Sequence, residues 1–322
     1  MDMWSIVYIV IIDNLAILSA MQGTPYDGEL FSVICAIIWA FAVILFRKSG
    51  EKVHPLALNL FKNLLAIILF LPTILLFRET LFPPASKQAY LTLLLSGVVG
   101  IALGDTLFFI SLNHLGAGLT GIVVCMGSPF IILFSILLLK ENFTWLQILG
   151  AGLIIIAVLL STLEQRTDKP SHVRIIRGIL FGILAAGSSA AGVVMMKPIL
   201  TVSPLVWATE VRLIGGIAFL GLIFLFYPGR KKVLNTLFKN NTKVWSYTIS
   251  SSFLGAYLAM LVWLAGMKYT YASIASALNQ TSTIFIFILS GIFLKEPINL
   301  RRTISIIIAF IGVLLVIFNK KM

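Results

Sequence analysis

Four ionisable side chains stand inside long apolar runs of this 322-residue chain: Lys62, Asp105, Glu210 and Arg212. A charge at the centre of a membrane span costs about 2.5–3.5 kcal/mol on insertion scales, so each is a functional candidate by default. A carboxylate that alternately binds a proton and a substrate or cation is the chemistry of coupled transport. Asp105 is the expected coupling group, with Glu210 as the substitute candidate. The alternative is an Asp105 permanently ionised and paired across helices with Lys62 or Arg212. Glu210 and Arg212 are two residues apart, which on a helix turns them to nearly opposite sides, so their partners must come from other helices. Arg212 either locks helix packing or contacts a substrate directly.

The uncharged polar residues add a second pattern. Ser276, Asn279, Gln280 and Thr283 follow the i, i+3, i+4, i+7 spacing that places them along one face of a helix near the middle of a span. The matching face 155 positions earlier is Gly121, Val124, Cys125 and Ser128, small where its copy is polar. Such a stripe serves either as packing glue in lipid or as the wall of a cavity. Trp39, Tyr257 and Trp263 could add aromatic walls. The substrate-binding candidates are therefore Asn279, Gln280, Thr283, Tyr257, Trp263, Ser128 and Trp39. Gly187-Ser188-Ser189 offers a point of close approach or bending. Lys197 and His114 lie near span ends, where snorkelling accounts for them.

These residues have to be positioned by membrane-spanning helices. The chain is 59% hydrophobic and 11% charged, against about 45–50% and about 25% in soluble domains. Its apolar runs are continuous and near the roughly 20 residues that a spanning helix requires, unlike the alternating ten-residue segments of a barrel. The fold class expected is an all-α integral membrane protein with ten transmembrane helices. The spans fall at about 30–47, 54–77, 89–112, 117–139 and 144–162, then 175–197, 204–227, 244–267, 271–294 and 301–318.

Residues 97–160 repeat as residues 252–315 without a gap at an offset of 155. Gly100 falls on Gly255, Ser135 on Ser290, Leu139-Lys140-Glu141 on Leu294-Lys295-Glu296, and Val158-Leu159-Leu160 on Val313-Leu314-Leu315. The first two helices of each half match at 149, Lys48 on Lys197 and Pro55 on Pro204, which leaves a six-residue insertion in the basic loop around Arg230, Lys231, Lys232, Lys239 and Lys243. Five spans per copy is an odd number, so the repeats enter the membrane with opposite orientation. The organisation expected is an N-terminal extension at 1–29, either an extra apolar segment or an upstream start, a first repeat at 30–162, a linker at 163–174 and a second repeat at 175–322. Lysine and arginine concentrate after spans one, five, seven and nine, which the positive-inside rule makes cytoplasmic. Span one then begins outside, unless the N-terminal segment is itself a span.

Two copies of five spans, each closing with a Leu-Lys-Glu turn and a final helix ending in Val-Leu-Leu, resemble the EamA-type members of the drug/metabolite transporter superfamily. Gly-Asp-Thr-Leu-Phe-Phe at 104–109, Leu115-Gly116-Ala117 and Ser128-Pro129 also resemble that family's first-half pattern. The likeness covers residues 30–319. An arginine common early in the second helix of each half is matched by Arg212, whereas the first copy has Asn63 there, and Ser128-Pro129 becomes Thr283-Ile284. The resemblance implies fold and class, not substrate, since the superfamily exports amino acids, metabolites, drugs and sugars.

The function expected is secondary transport, with export of small metabolites such as amino acids or amphipathic compounds by alternating access, coupled to protons through Asp105. The alternatives are a lipid or lipid-linked sugar flippase of the same fold and a non-transporting assembly protein. An intramembrane enzyme would need clustered carboxylates, ligating histidines or a nucleophile with its base. Here His54, His114 and His172 sit in loops or at span ends and the central acids are single. No enzyme activity, cofactor or metal is expected. The net charge of +12 resides in loops beside spans, which fits topology and anionic headgroups rather than nucleic acid. Cys35 and Cys125 lie within apolar runs and form no disulfide framework. The partners expected are a small-molecule substrate and the bilayer of a bacterial plasma or inner membrane, with monomer or homodimer left open.

Overall fold

The computed structural model describes residues 26–76, 80, 83–140, 144–162, 172–239 and 241–317. Most of the N-terminal extension expected at 1–29 and of the linker expected at 163–174 lies outside them. Every element among the described residues is a helix. The first half contains α1 (Asp27–Gly50), α2 (Pro55–Leu76), α3 (Lys87–Leu115), α4 (Ala117–Leu139) and α5 (Trp145–Thr162). The second half contains α6 (His172–Val202), α7 (Leu205–Phe226), the short α8 (Arg230–Phe238), α9 (Thr242–Tyr269), the two-piece α10 (Ala272–Asn279 and Ser282–Leu294) and α11 (Leu300–Ile317). The protein is a multi-span membrane protein, and seven of these helices, α1 to α4, α6, α7 and α9, are long and apolar enough to cross a bilayer.

The duplicated sequence is also a duplication of backbone irregularities. Ser86 caps α3 by accepting from the Ala89 N–H, and Asn241, 155 positions on, caps α9 by accepting from the Val244 N–H. A π-helical stretch interrupts α3 at Val98–Asp105 and α9 at Phe253–Leu258. The α-helical ladder then breaks at Cys125-Met126 in α4 and at Gln280-Thr281 in α10. Both fourth helices end on a lysine in the left-handed region, Lys140 and Lys295, each with φ 54°.

Packing exchanges helices between the halves. α1 lies against α9 and α10, and α6 lies against α3 and α4; likewise α2 meets α9 and α7 meets α3. The two closing helices, α5 and α11, pack most extensively on each other. The six-residue insertion is accommodated by α8, which buries Val233 and Leu237 and leaves its Arg230-Lys231-Lys232 run exposed.

Contacts between helix ends define two faces of the bundle. On the first face Gly50 abuts Asn113, Arg174 donates to the Asn113 carbonyl, and the His54 N–H donates to Thr236 of α8. On the opposite face Gly28 abuts Thr270, Lys197 donates to the carbonyls of Met267 and Thr270, and Lys268 donates to the Ser203 carbonyl. Lys197 thus binds the last carbonyls of α9, a C-terminal capping role. Arg47, Lys48, Lys52, Arg174 and Arg177 share the first face with α8.

Candidate functional site

The site is built on α3, where Gly97, Gly100 and Gly104 remove side chains from the side turned to α6 and α7. A Cβ on Gly97 would lie 1.8 Å from the Arg212 carbonyl oxygen, one on Gly100 2.6 Å from Arg212 Nη2, and one on Gly104 2.7 Å from Ser189 Oγ. A Cβ on Gly192 of α6 would in turn meet the Gly100 Cα at 2.8 Å. Small residues let helices approach this closely in lipid, where packing replaces the hydrophobic drive.

The π-helical turn through Asp105 leaves carbonyls without their usual i+4 donors, a common device at functional sites. α2 supplies replacements from one face. Asn59 Nδ2 donates to the Ile101 carbonyl at 3.0 Å and to Thr106 Oγ1 at 2.9 Å, and Asn63 Nδ2 fixes the Asn59 amide at 2.8 Å. Lys62, on the same face, forms an ion pair with Asp105, Nζ to Oδ2 at 2.6 Å, and its Nζ lies 5.9 Å from the Phe109 ring centroid. Lys62 is only 4% exposed while Asp105 is 22% exposed. The pair is rooted in the core and opens at the carboxylate.

Arg212 approaches Asp105 from α7, close enough to act on it electrostatically. Its Nη1 donates to the Met196 sulfur at 2.8 Å, and its Nε makes no hydrogen bond among the described residues. Glu210 is buried on another side of α7 with no hydrogen bond to Oε1. It does not face the cavity.

Between the halves lies a cavity of about 190 Å³. It is smaller than the roughly 300–1,000 Å³ pockets that hold drug-sized ligands. Of the residues expected from sequence, Lys62, Asp105, Arg212, Trp39, Trp263, Asn279 and Gln280 line it. Trp39 stacks at a tilt on Phe108, 5.6 Å between centroids. Gln280 donates to the Val124 carbonyl at 3.3 Å, and Asn279 Oδ1 has no hydrogen-bond partner among the described residues.

Thr283, Ser128 and Tyr257 are placed elsewhere. The break after Asn279 interrupts the helical stripe, so Thr283 turns to α4 and donates to the Gly121 carbonyl at 3.1 Å, with Cys125 Sγ at 3.0 Å. Ser128 and Ser276 join the two broken helices through their hydroxyls at 3.3 Å. The Tyr257 hydroxyl bonds Thr73 at 2.7 Å, and its ring packs on Phe70 behind the cavity wall. The structure adds Cys35, Phe108, Ser189 and Met260 to the lining. Ser189 belongs to the Gly-Ser-Ser run noted in the sequence; the others are apolar residues in apolar runs and carried no signal. Among the described residues no group of three His, Cys, Asp or Glu could hold a metal ion.

The second Leu-Lys-Glu turn clamps the start of α4. Glu296 accepts from the backbone N–H groups of Ala117 at 2.8 Å and Gly118 at 2.9 Å, capping the N-terminus of α4 from the other half of the chain. The negative carboxylate on the positive end of the helix adds to the two hydrogen bonds. Gly116, at φ 82°, makes the turn that presents those N–H groups.

The family model described as "EamA-like transporter family" matches residues 27–163 and again 176–318. An "Uncharacterized transporter" of Archaeoglobus fulgidus is 24% identical over 288 residues, which is 89% of this chain and 97% of that protein. The "Uncharacterized transporter YetK" of Bacillus subtilis is 22% identical over 297 residues, 91% of this chain and 88% of its own. A solved crystal structure superposes with a TM-score of 0.68 at 16% identity, covering 91% of this chain and 96% of its own, so the two share a fold.

Proposed function

The chain belongs to the EamA-like transporter family, hence is a membrane transporter and not an enzyme, and from that premise we propose that it exports small metabolites such as amino acids or amphipathic compounds by alternating access. The observation that carries the reading is the mid-bundle cavity, lined from both halves and holding a Lys62–Asp105 pair and Arg212. Secondary transporters place their sites at such a repeat interface, where discontinuous helices allow rocking of one bundle against another.

In this reading the halves are inverted repeats of five spans, ten spans in all. The recurrence of caps, π-helical stretches and breaks at one offset, and the reciprocal exchange of α1 and α6, support it. The basic face bearing α8 is cytoplasmic by the positive-inside rule, and α1 therefore begins on the opposite side. Coupling runs through the pair. A proton delivered to Asp105 neutralises the carboxylate and releases the Lys62 ammonium, which changes the cavity charge and the hold of α2 on α3.

The test is counterflow in proteoliposomes across a panel of amino acids and amphipathic compounds, with and without a pH gradient. Exchange of at least one solute, with accumulation driven by the gradient, is expected. A folded protein that exchanges nothing in the panel removes these solutes as its cargo, and exchange indifferent to the gradient removes the proton.

A further inference from the structure

We propose that the cavity takes a small organic carboxylate with an apolar body, and that Arg212 is its anion clamp. The proposal rests on the reading of this cavity as the transport site and names the chemical class of what it carries.

The argument begins with which charges are already satisfied. Lys62 is consumed by Asp105 at 2.6 Å. Arg212 is only 6% exposed, and among the described residues its one hydrogen-bonded neighbour is the thioether of Met196, a weak acceptor. Its Nε has no acceptor, and Asp105 acts on it without a hydrogen bond. A guanidinium carries five N–H donors in a planar fork, and leaving them unmet in a low-dielectric interior is costly. Two cations face the cavity against one carboxylate, so one positive charge is uncompensated.

Arg212 lines the cavity from α7, and Gly100 makes the room its guanidinium occupies. Nη2 lies over Gly100, where a Cβ would stand 2.6 Å away. A carboxylate is the acceptor suited to a guanidinium, whose planar fork can bind two oxygens at once. A cation entering the same space would meet like charge. Trp39, Phe108, Met260 and Trp263 give the space large apolar walls from α1, α3 and α9, and the uncharged polar residues Ser189, Ser276, Asn279 and Gln280 complete its lining. The volume of about 190 Å³ admits a solute of a single ring rather than a lipid.

The test compares three solutes of one shape on the purified full chain: phenylacetate, phenylacetamide and phenethylamine. Binding is read by quenching of tryptophan fluorescence, since Trp39 and Trp263 face the cavity, and by shift of the thermal unfolding temperature. Phenylacetate is expected to bind at least tenfold more tightly than the amide, and the amine not to compete. In Arg212→Gln the acid should fall to the level of the amide, while Arg212→Lys, which keeps the charge and loses the fork, should retain part of the preference. If Arg212→Gln fails to fold, the wild-type ranking alone decides.

Equal binding of all three, no binding of any, or an acid affinity unchanged in folded Arg212→Gln overturns the proposal. Counterflow separates its failure from that of the transport reading. Exchange of phenethylamine or a neutral solute without phenylacetate leaves a transporter with a different cargo. Specific phenylacetate binding without exchange of any solute upholds the anion clamp and removes this cavity as the site of exchange.

Discussion

Replacing Asp105 by Asn leaves the Lys62 ammonium, 4% exposed, without a countercharge. At 2.6 Å and an effective dielectric of about 20, the attraction lost is about 6 kcal/mol before desolvation is set against it. Breaking a buried pair by removing one partner costs about 3–5 kcal/mol in practice. Here the amide oxygen can still accept from Nζ, the Phe109 ring remains 5.9 Å away, and the Asp105 side faces the cavity. The expected loss is therefore about 2–3 kcal/mol, since a hydrogen bond to a charged group recovers part of it. Lys62→Met should cost less, about 1–2 kcal/mol, because the freed carboxylate can turn towards Arg212. In the double mutant neither charge is orphaned, and a coupling energy of about 1.5 kcal/mol or more is expected. The assay is equilibrium unfolding of the four proteins in mixed micelles. Additivity within about 0.5 kcal/mol would refute the pair as an energetic unit. In proteoliposomes the same Asp105→Asn protein should lose pH-driven accumulation and keep downhill exchange. A mutant that still concentrates substrate with unaltered pH dependence eliminates Asp105 as the coupling residue.

Three further outcomes are expected. Gly97→Ala puts a methyl 1.8 Å from the Arg212 carbonyl oxygen and should destabilise by on the order of 3 kcal/mol or more, whereas Gly221→Ala meets nothing within 4 Å and should gain up to about 1 kcal/mol from helix propensity; thermal melts of both in one detergent decide. Glu296→Ala should cost about 1–2 kcal/mol through the lost cap on α4, while Lys295→Gly, relieving a left-handed lysine, should stabilise by about 1 kcal/mol; a melt in which both are neutral contradicts the turn geometry. Single cysteines at Lys140 and Lys295 should react with an impermeant thiol reagent from opposite sides of sealed vesicles, and labelling from one side alone would exclude inverted repeats.

The long apolar helices were legible because lipid leaves backbone polar groups no water to bond, so spans announce themselves as continuous apolar runs. The copied residues around Lys140 and Lys295 located the turns, but nothing in a lysine signals the left-handed φ that both adopt. The stripe from Ser276 to Thr283 was read with one unbroken helical period. The break at Gln280-Thr281 invalidates that period at its last member, which is why Asn279 and Gln280 face the cavity and Thr283 does not. The π-helical turns escaped the sequence for a related reason, since a one-residue slip in the ladder changes direction without changing composition. Lys62, Asp105 and Arg212 could be singled out by cost alone; that Lys62 rather than Arg212 takes the carboxylate depends on how α2 and α7 approach α3.

The carboxylate of Glu296 reaches a helix terminus 178 positions earlier in the chain. While the ribosome is still threading the second half, that terminus has no such lid. At about 5–20 residues per second the wait is on the order of ten seconds or more. α1 waits comparably for α9 and α10, its neighbours in the finished bundle. Until then the first half lacks the Glu296 cap on α4 and the cover that α9 and α10 give to α1. Truncation before residue 296 should leave a species that inserts but is cleared by membrane proteases.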